Sequence, residues 1–298
     1  MVSDPVFNYR CCMQPDAASA PHFSAYSFVD RIVEFEPGKR ARGTFAIPAH
    51  LRAFPAALVA EAVGQLAAWA AMDRIGFRGR PVAGLATETR FLGEAKPGDT
   101  LTLAVELSDC DDEAVAYNGH ASVNGKPVIE LVDCLGPMLP VTDFDDPTAL
   151  RERLALLRGQ GARPGRFGGI PELPVRVTHR VAGAELRATL DVPADAPFFA
   201  DHFPRRPVFP ATLLLDTMMR LALDTARDAP ASARARPLRV THVKMRSFIV
   251  PSQRLDVGVE LAPANDGIAR AMLSAKTDDR LVASARLELA LEPRNEFA

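Results

Sequence analysis

The sequence predicts an α+β protein in which one unit is used twice: a strongly curved antiparallel sheet wrapped round a long central helix. Three observations lead to that fold class. First, three blocks recur in the same order: RGTFAIPA at 42–49 returns as RATLDVPA at 187–194, FPAALVAE at 54–61 as FPATLLLD at 209–216, and PGDTLTLAVEL at 97–107 as PSQRLDVGVEL at 251–261. Second, each copy opens on alternating strand sequence, IVEFEPGKRARGTFAIP or RVAGAELRATLDVP, and runs into a helix headed by a proline. Third, those helices, AALVAEAVGQLAAWAAM and ATLLLDTMMRLALDTA, are apolar nearly all round, a pattern that only burial on most faces satisfies.

The elements follow in order within each copy. The opening strand pair feeds a helix whose first turn holds Pro55 or Pro210, where the missing N–H costs no helical bond. Three alternating segments then close the copy. Residues 20–142 form the N-terminal unit and 173–298 the C-terminal one. The stretch between, 143–172, starts acidic and turns rich in Gly, Arg and Pro, which marks a linker with one short helix inside it.

The copies differ in one place. The three blocks are offset by 145, 155 and 154 residues, so ten residues between the first and second blocks exist only in the C-terminal copy. They lie within DAPFFADHFPRRPV, where the N-terminal copy has only HLRA. His202 therefore belongs to one half alone. His50, in the shortened loop, stands too close to its helix to align with it.

Composition narrows the function classes. With 35 basic and 37 acidic residues the net charge is −2, which asks for neither nucleic acid nor an anionic membrane. Glu61 and Gln65 interrupt one long apolar stretch, and Asp216 and Arg220 the other, so both read as core helices rather than membrane spans. No apolar block follows a basic start in the first 25 residues, and the expected location is the cytoplasm. Cys11, Cys12, Cys110 and Cys134 fit neither a disulfide framework nor paired metal spacing and read as reduced thiols; no metal is expected, and no cofactor is called for.

The loop and helix start FFADHFPRRPVFPATLLLD resemble the active-site segment of the 3-hydroxyacyl-acyl-carrier-protein dehydratases of the hot dog fold. YSFVDRIVEFEPGKRA at 26–41 resembles the family's opening strand and RFLGEAKPGDTLTLAVEL at 90–107 its following strands. The resemblance implies a double hot dog, the two units packed as a pseudo-dimer within one chain, with a histidine from one unit facing an acid on the helix of the other. Carried over, His202 faces Glu61, while Asp216 faces the shortened loop, where no histidine aligns, and is left a secondary or structural role. The resemblance also implies that the Val208 carbonyl fixes the His202 tautomer and that the Ala211 N–H polarises a thioester carbonyl, with Phe203 and Pro210 as further substrate-binding residues. The family usually has Gly where this chain has Ala211.

Loss of water from a 3-hydroxyacyl thioester needs a base beside the carbonyl, an acid for the departing hydroxyl, and donors for the enolate-like oxygen. His202, Glu61 and the start of the second helix supply these. The expected substrate is a thioester of acyl carrier protein or of coenzyme A; Arg205 and Arg206 could attract the acidic carrier, and a homodimer of such chains is left open. Two readings stand beside this one: thioester hydrolysis on the same fold, and a catalytically decayed acyl-binding or scaffold subunit, which Ala211 and the shortened loop would favour. Trp69 and Met72, at helical spacing, read as core, and His22, His120, His179 and His242 stand outside any motif.

Overall fold

Two curved antiparallel sheets meet edge to edge, and the strands at the join come from opposite halves of the chain. The structure, a computed structural model, describes residues 24–228 and 234–292; Cys11, Cys12 and His22 lie outside them. In the first half, β1 (Arg31–Glu36), β2 (Arg40–Ala46), β3 (Gly79–Pro81), β4 (Leu85–Phe91), β5 (Thr100–Cys110), β6 (Ala114–Val123) and β7 (Lys126–Pro140) surround helix α1 (Ala56–Arg74). In the second, β8 (Val175–Val181), β9 (Glu185–Asp191), β10 (Arg234–Met245), β11 (Arg254–Asn265), β12 (Ile268–Thr277) and β13 (Arg280–Glu292) surround α3 (Ala211–Arg227). Helix α2 (Pro147–Arg158) lies in the segment between them.

The strand order is β1-β2-β5-β6-β7-β4-β10-β13-β12-β11-β9-β8, with β3 paired to β7 off this path. Read from either end, the order passes through equivalent strands of the two copies, as the internal repeat requires. The sheet is continuous across β4 and β10, which run antiparallel with Val240 opposite Thr89 and Val243 opposite Ala86. Arg239 reaches across that join to Glu88 at 3.1 Å and back to Glu288 at 2.8 Å, while Arg90 holds Glu88 and Glu130 at 2.8 Å each. The arginines and Glu130 are exposed, whereas Glu88 and Glu288 are mostly covered by them.

Four long strands, not three, follow each central helix. The extra ones are β4 and β10, the joining strands, and β4 shows the reason they are hard to read. Its LATETRF alternates only weakly, and only Thr89 of it is buried. Pro55 and Pro210 sit one residue before the first helical residue, each with φ of −60°, so they steer the chain into the helix from the cap position.

Helix α1 is buried on most of its circumference, with Ala62, Val63, Leu66, Ala67 and Ala70 fully enclosed. Small residues let the sheet close on it. A Cβ at Gly119 of β6 would lie 2.4 Å from Val63 Cγ1, so only glycine lets this strand come so near the helix. Helix α3 is less enclosed and keeps Arg220 on a solvent-facing side. Helix α2 is a packed element: Asp146 caps it by accepting from the N–H groups of Thr148 and Ala149, and Leu150, Leu154 and Leu157 are buried against the core. Among the described residues no helix is long and apolar enough to cross a membrane.

Candidate active site

The ten-residue insertion is folded by its own backbone. A single 3-10 turn, Pro197–Ala200, buries Phe198 and Phe199, and the N–H of His202 donates to the Phe198 carbonyl at 2.9 Å. The chain then returns so that the Val208 N–H donates to the His202 carbonyl at 3.1 Å, and His202 Nδ1 lies 2.9 Å from the Val208 carbonyl oxygen. A carbonyl can only accept, so Nδ1 carries the proton and Nε2 keeps its lone pair. Tyr26 meets the imidazole edge-on at 5.6 Å, and Phe203 stacks on it with centroids 4.2 Å apart.

His202 opens on a cavity of about 220 Å³ between α1 and the first half's sheet, closed at one end by the inserted loop, the start of α3 and α2. Glu61 lines the same cavity from α1, in the other half of the chain. Both its oxygens are occupied. Thr212 Oγ1 donates to Oε2 at 2.7 Å, and Gln65 Nε2 donates to Oε1 at 3.0 Å. Gln65 also donates to the Tyr26 carbonyl and accepts from the Phe28 N–H, each at 2.8 Å, which fixes its amide against the strand entry. The Tyr26 hydroxyl stands 2.7 Å from Thr212 Oγ1, completing a chain Tyr26–Thr212–Glu61 that crosses between the halves twice.

Burial holds the His202 pKa below its ordinary value of 6.5 and Arg80 pushes the same way, against Glu61 and the Val208 carbonyl, which favour the charged ring. The neutral form is the one that can act as a base. Burial likewise raises Asp201 to about 7, although its Oδ2 accepts from the Tyr26 N–H at 2.6 Å and from Ser27 Oγ at 3.0 Å. Tyr26, fully enclosed beside Glu61, is driven well above its usual range and stays a neutral hydroxyl.

Of the residues singled out in the sequence, His202, Glu61, Phe203 and Ala211 line the cavity together. Ala211 is the first residue of α3, where its N–H has no helical carbonyl to bond. Val208 and Pro210 stand behind the wall, one as acceptor for His202 and the other as the helix cap. Asp216 is not in the cavity wall; its Oδ2 pairs with Arg220 Nε at 3.1 Å. The repeat makes Asp216 and Arg220 the counterparts of Glu61 and Gln65, so the second copy replaces a neutral amide by a cation that engages the acid. His50 is exposed. Met72 is buried in the core and Trp69 packs against it, as expected, and both also line the cavity. Arg205 is engaged by Asp146 at 2.7 Å and Arg206 lies over Phe144 at 5.6 Å, so both brace the loop against the segment between the halves; Arg206 also lies over Phe248 at 4.9 Å.

Tyr26, Gln65, Thr212, Arg80, Arg153 and Asp201 were not singled out. Gln65 and Thr212 carried a signal, one a helical turn after Glu61 and the other next to Ala211. Arg80 and Arg153 carried none.

Comparison with known proteins bears on this geometry. Residues 175–286 match the FabA-like domain family. A 3-hydroxyacyl-[acyl-carrier-protein] dehydratase FabZ of Bacillus subtilis is 35% identical over 130 residues, spanning 39% of this chain and 92% of its own length. The chain belongs to this FabA-like dehydratase family of hot dog proteins. The FabZ of Clostridium acetobutylicum is 31% identical over 121 residues, covering 37% of this chain and 86% of its own length. Solved structures extend the likeness to both halves. A putative oleoyl thioesterase of Lactobacillus plantarum superposes with a TM-score of 0.56 at 12% identity, over 86% of this chain and 97% of its own. An acyl-CoA thioesterase II TesB2 of Mycobacterium marinum does so with a TM-score of 0.53 at 14% identity, over 89% and 97%. At such identities these share the double hot dog fold and nothing finer is taken from them.

Proposed function

We propose that this double hot dog protein removes water from a 3-hydroxyacyl thioester, carried on acyl carrier protein or coenzyme A, at one site built across its two halves. The observation that carries this reading is the fixed tautomer of His202: with Nδ1 given to the Val208 carbonyl, Nε2 is free toward the cavity that Glu61 enters from the other half.

In this reading the thioester carbonyl lies against the Ala211 N–H, where the positive end of α3 stabilises the negative charge that develops on oxygen. His202 Nε2 takes a proton from the carbon beside that carbonyl. The hydroxyl on the next carbon leaves with a proton from Glu61, giving a 2-enoyl thioester and water; the proton on His202 then returns to Glu61 through solvent. The hydroxyls of Thr212 and Tyr26 can each rotate, so their chain donates to Glu61 when it is ionised and accepts from it when it is protonated. Family membership through the half that supplies His202 supports elimination over hydrolysis.

The test is product analysis with matched 3-hydroxyacyl and plain acyl thioesters. Elimination gives the enoyl absorbance without free thiol. Thiol release from both substrates would assign hydrolysis instead, and no turnover with either would leave an acyl-binding protein.

A further inference from the structure

Beyond Phe203 the cavity wall holds two buried guanidinium groups that the chemistry above does not use. Arg80, at the centre of β3, has its Cζ 4.2 Å from the centroid of Phe203, which also stacks on His202 at 4.2 Å. Its guanidinium therefore lies no more than two stacking distances from the imidazole. Arg153 projects from α2 between Leu150 and Leu157, one helical turn to either side, and all three line the cavity. The two arginine side chains are only 18% and 13% exposed.

Their protein acceptors are too few. One carboxylate oxygen, Asp145 Oδ2, serves both, at 3.2 Å from Arg80 and 3.5 Å from Arg153. The other Asp145 oxygen is taken by the Asp146 N–H. Arg153 Nε is buried with no acceptor among the described residues. A guanidinium presents a planar fork of N–H donors, and leaving the Arg153 Nε donor unmatched in the wall is costly. Arginines that served only to tie α2 to β3 would be matched by acceptors on those elements. Glu61 and Asp201 act on the charge of Arg80, and Asp201 on that of Arg153, so the pair has no large excess of positive charge to offer; Asp201 Oδ1 is itself a buried acceptor without a hydrogen bond in the same wall, and what the arginines offer a ligand is donors.

We propose that Arg80 and Arg153 form an acyl-side recognition site, which binds a carbonyl or carboxylate oxygen carried on the substrate's acyl group beyond its reacting carbons. This rests on the acyl-thioester reading above and deepens it: the substrate is an oxygenated acyl chain rather than a plain alkyl one. A phosphate of the pantetheine arm is the other oxygen-rich group such a substrate carries. It is separated from the thioester by the whole arm, whereas Arg80 lies two ring thicknesses from His202.

The test measures binding without turnover. Calorimetry compares three pantetheine amides of equal chain length, hexanoyl, 5-oxohexanoyl and hexanedioyl, none of which has a hydroxyl to lose or a thioester to cleave. The two oxygenated ligands should bind about tenfold or more tightly than the alkyl one, as one or two charge-assisted hydrogen bonds would give. Arg153→Met, checked by thermal melting, should erase the difference. Equal or tighter binding of the hexanoyl ligand, no measurable binding of any of them, or an unchanged preference in a folded Arg153→Met protein overturns the proposal. Elimination is judged separately by enoyl formation, so either idea can fail without the other.

Discussion

Thr212 and Glu61 meet at 2.7 Å although one lies in the first turn of the helix of the second half and the other in the helix of the first. The contact joins the two halves at the acid and leaves Thr212 oriented by the Tyr26 hydroxyl behind it. Thr212→Val keeps the shape and removes the link, so turnover of a 3-hydroxyacyl thioester should fall about tenfold or more, with Thr212→Ser retaining most of it. Glu61→Gln should lose the ~10²–10⁴ that a general acid contributes. Steady-state kinetics on the folded variants checks both. A Thr212→Val protein as active as wild type would place the proton route elsewhere.

His202 sets the acid limb of the pH profile. Burial and Arg80 hold its pKa below 6.5, and the neutral ring is the active form. The value of kcat/KM should therefore be flat near pH 7 and fall only as the pH drops through a point below 6.5. An inflection above 7 would contradict the lowered value. His202→Ala should remove the limb along with most of the activity.

The repeat was legible because the blocks around it face the core of each half and keep their pattern. The ten-residue difference was legible for the opposite reason: an insertion that carries a histidine disturbs the offset between blocks. The joining strands were not, since β4 buries only Thr89 and β10 only Ala235 and Val240, too few apolar positions to mark one face. Nor was the polar part of the cavity. Arg80 sits in a three-residue strand and Arg153 in what reads as a charged linker helix, ERLALLR, and nothing local says that a distant loop buries both.

Asp216 tests the asymmetry directly. Arg220 pairs with it where its counterpart Glu61 has the neutral Gln65, and it is not in the wall of the cavity that Glu61 lines. Asp216→Asn should leave turnover within about twofold of wild type. If that variant loses activity as His202→Ala does while Glu61→Gln stays active, and both remain folded, the acid has been assigned to the wrong half.

Asp201 links the site to stability. Its carboxyl is raised from 3.8 to about 7, mainly by burial, so folding favours its protonated form. The sign follows from linkage. Below pH 3.8 the group is protonated in both states and imposes no cost. As the pH rises toward 7 the unfolded chain ionises first, and stability drains away by about 1.4 kcal/mol per unit until the folded carboxyl ionises too. Asp30, raised to about 6 by the same cause, adds a slope of the same sign that no change at position 201 removes. Asp201→Asn keeps an oxygen for the Tyr26 N–H and cannot ionise. Its melting temperature relative to wild type should therefore rise between pH 4 and about pH 7 and level off above it. A difference that stays constant across that range would mean Asp201 is ionised in the folded protein at low pH, and that the Tyr26 and Ser27 bonds outweigh its burial.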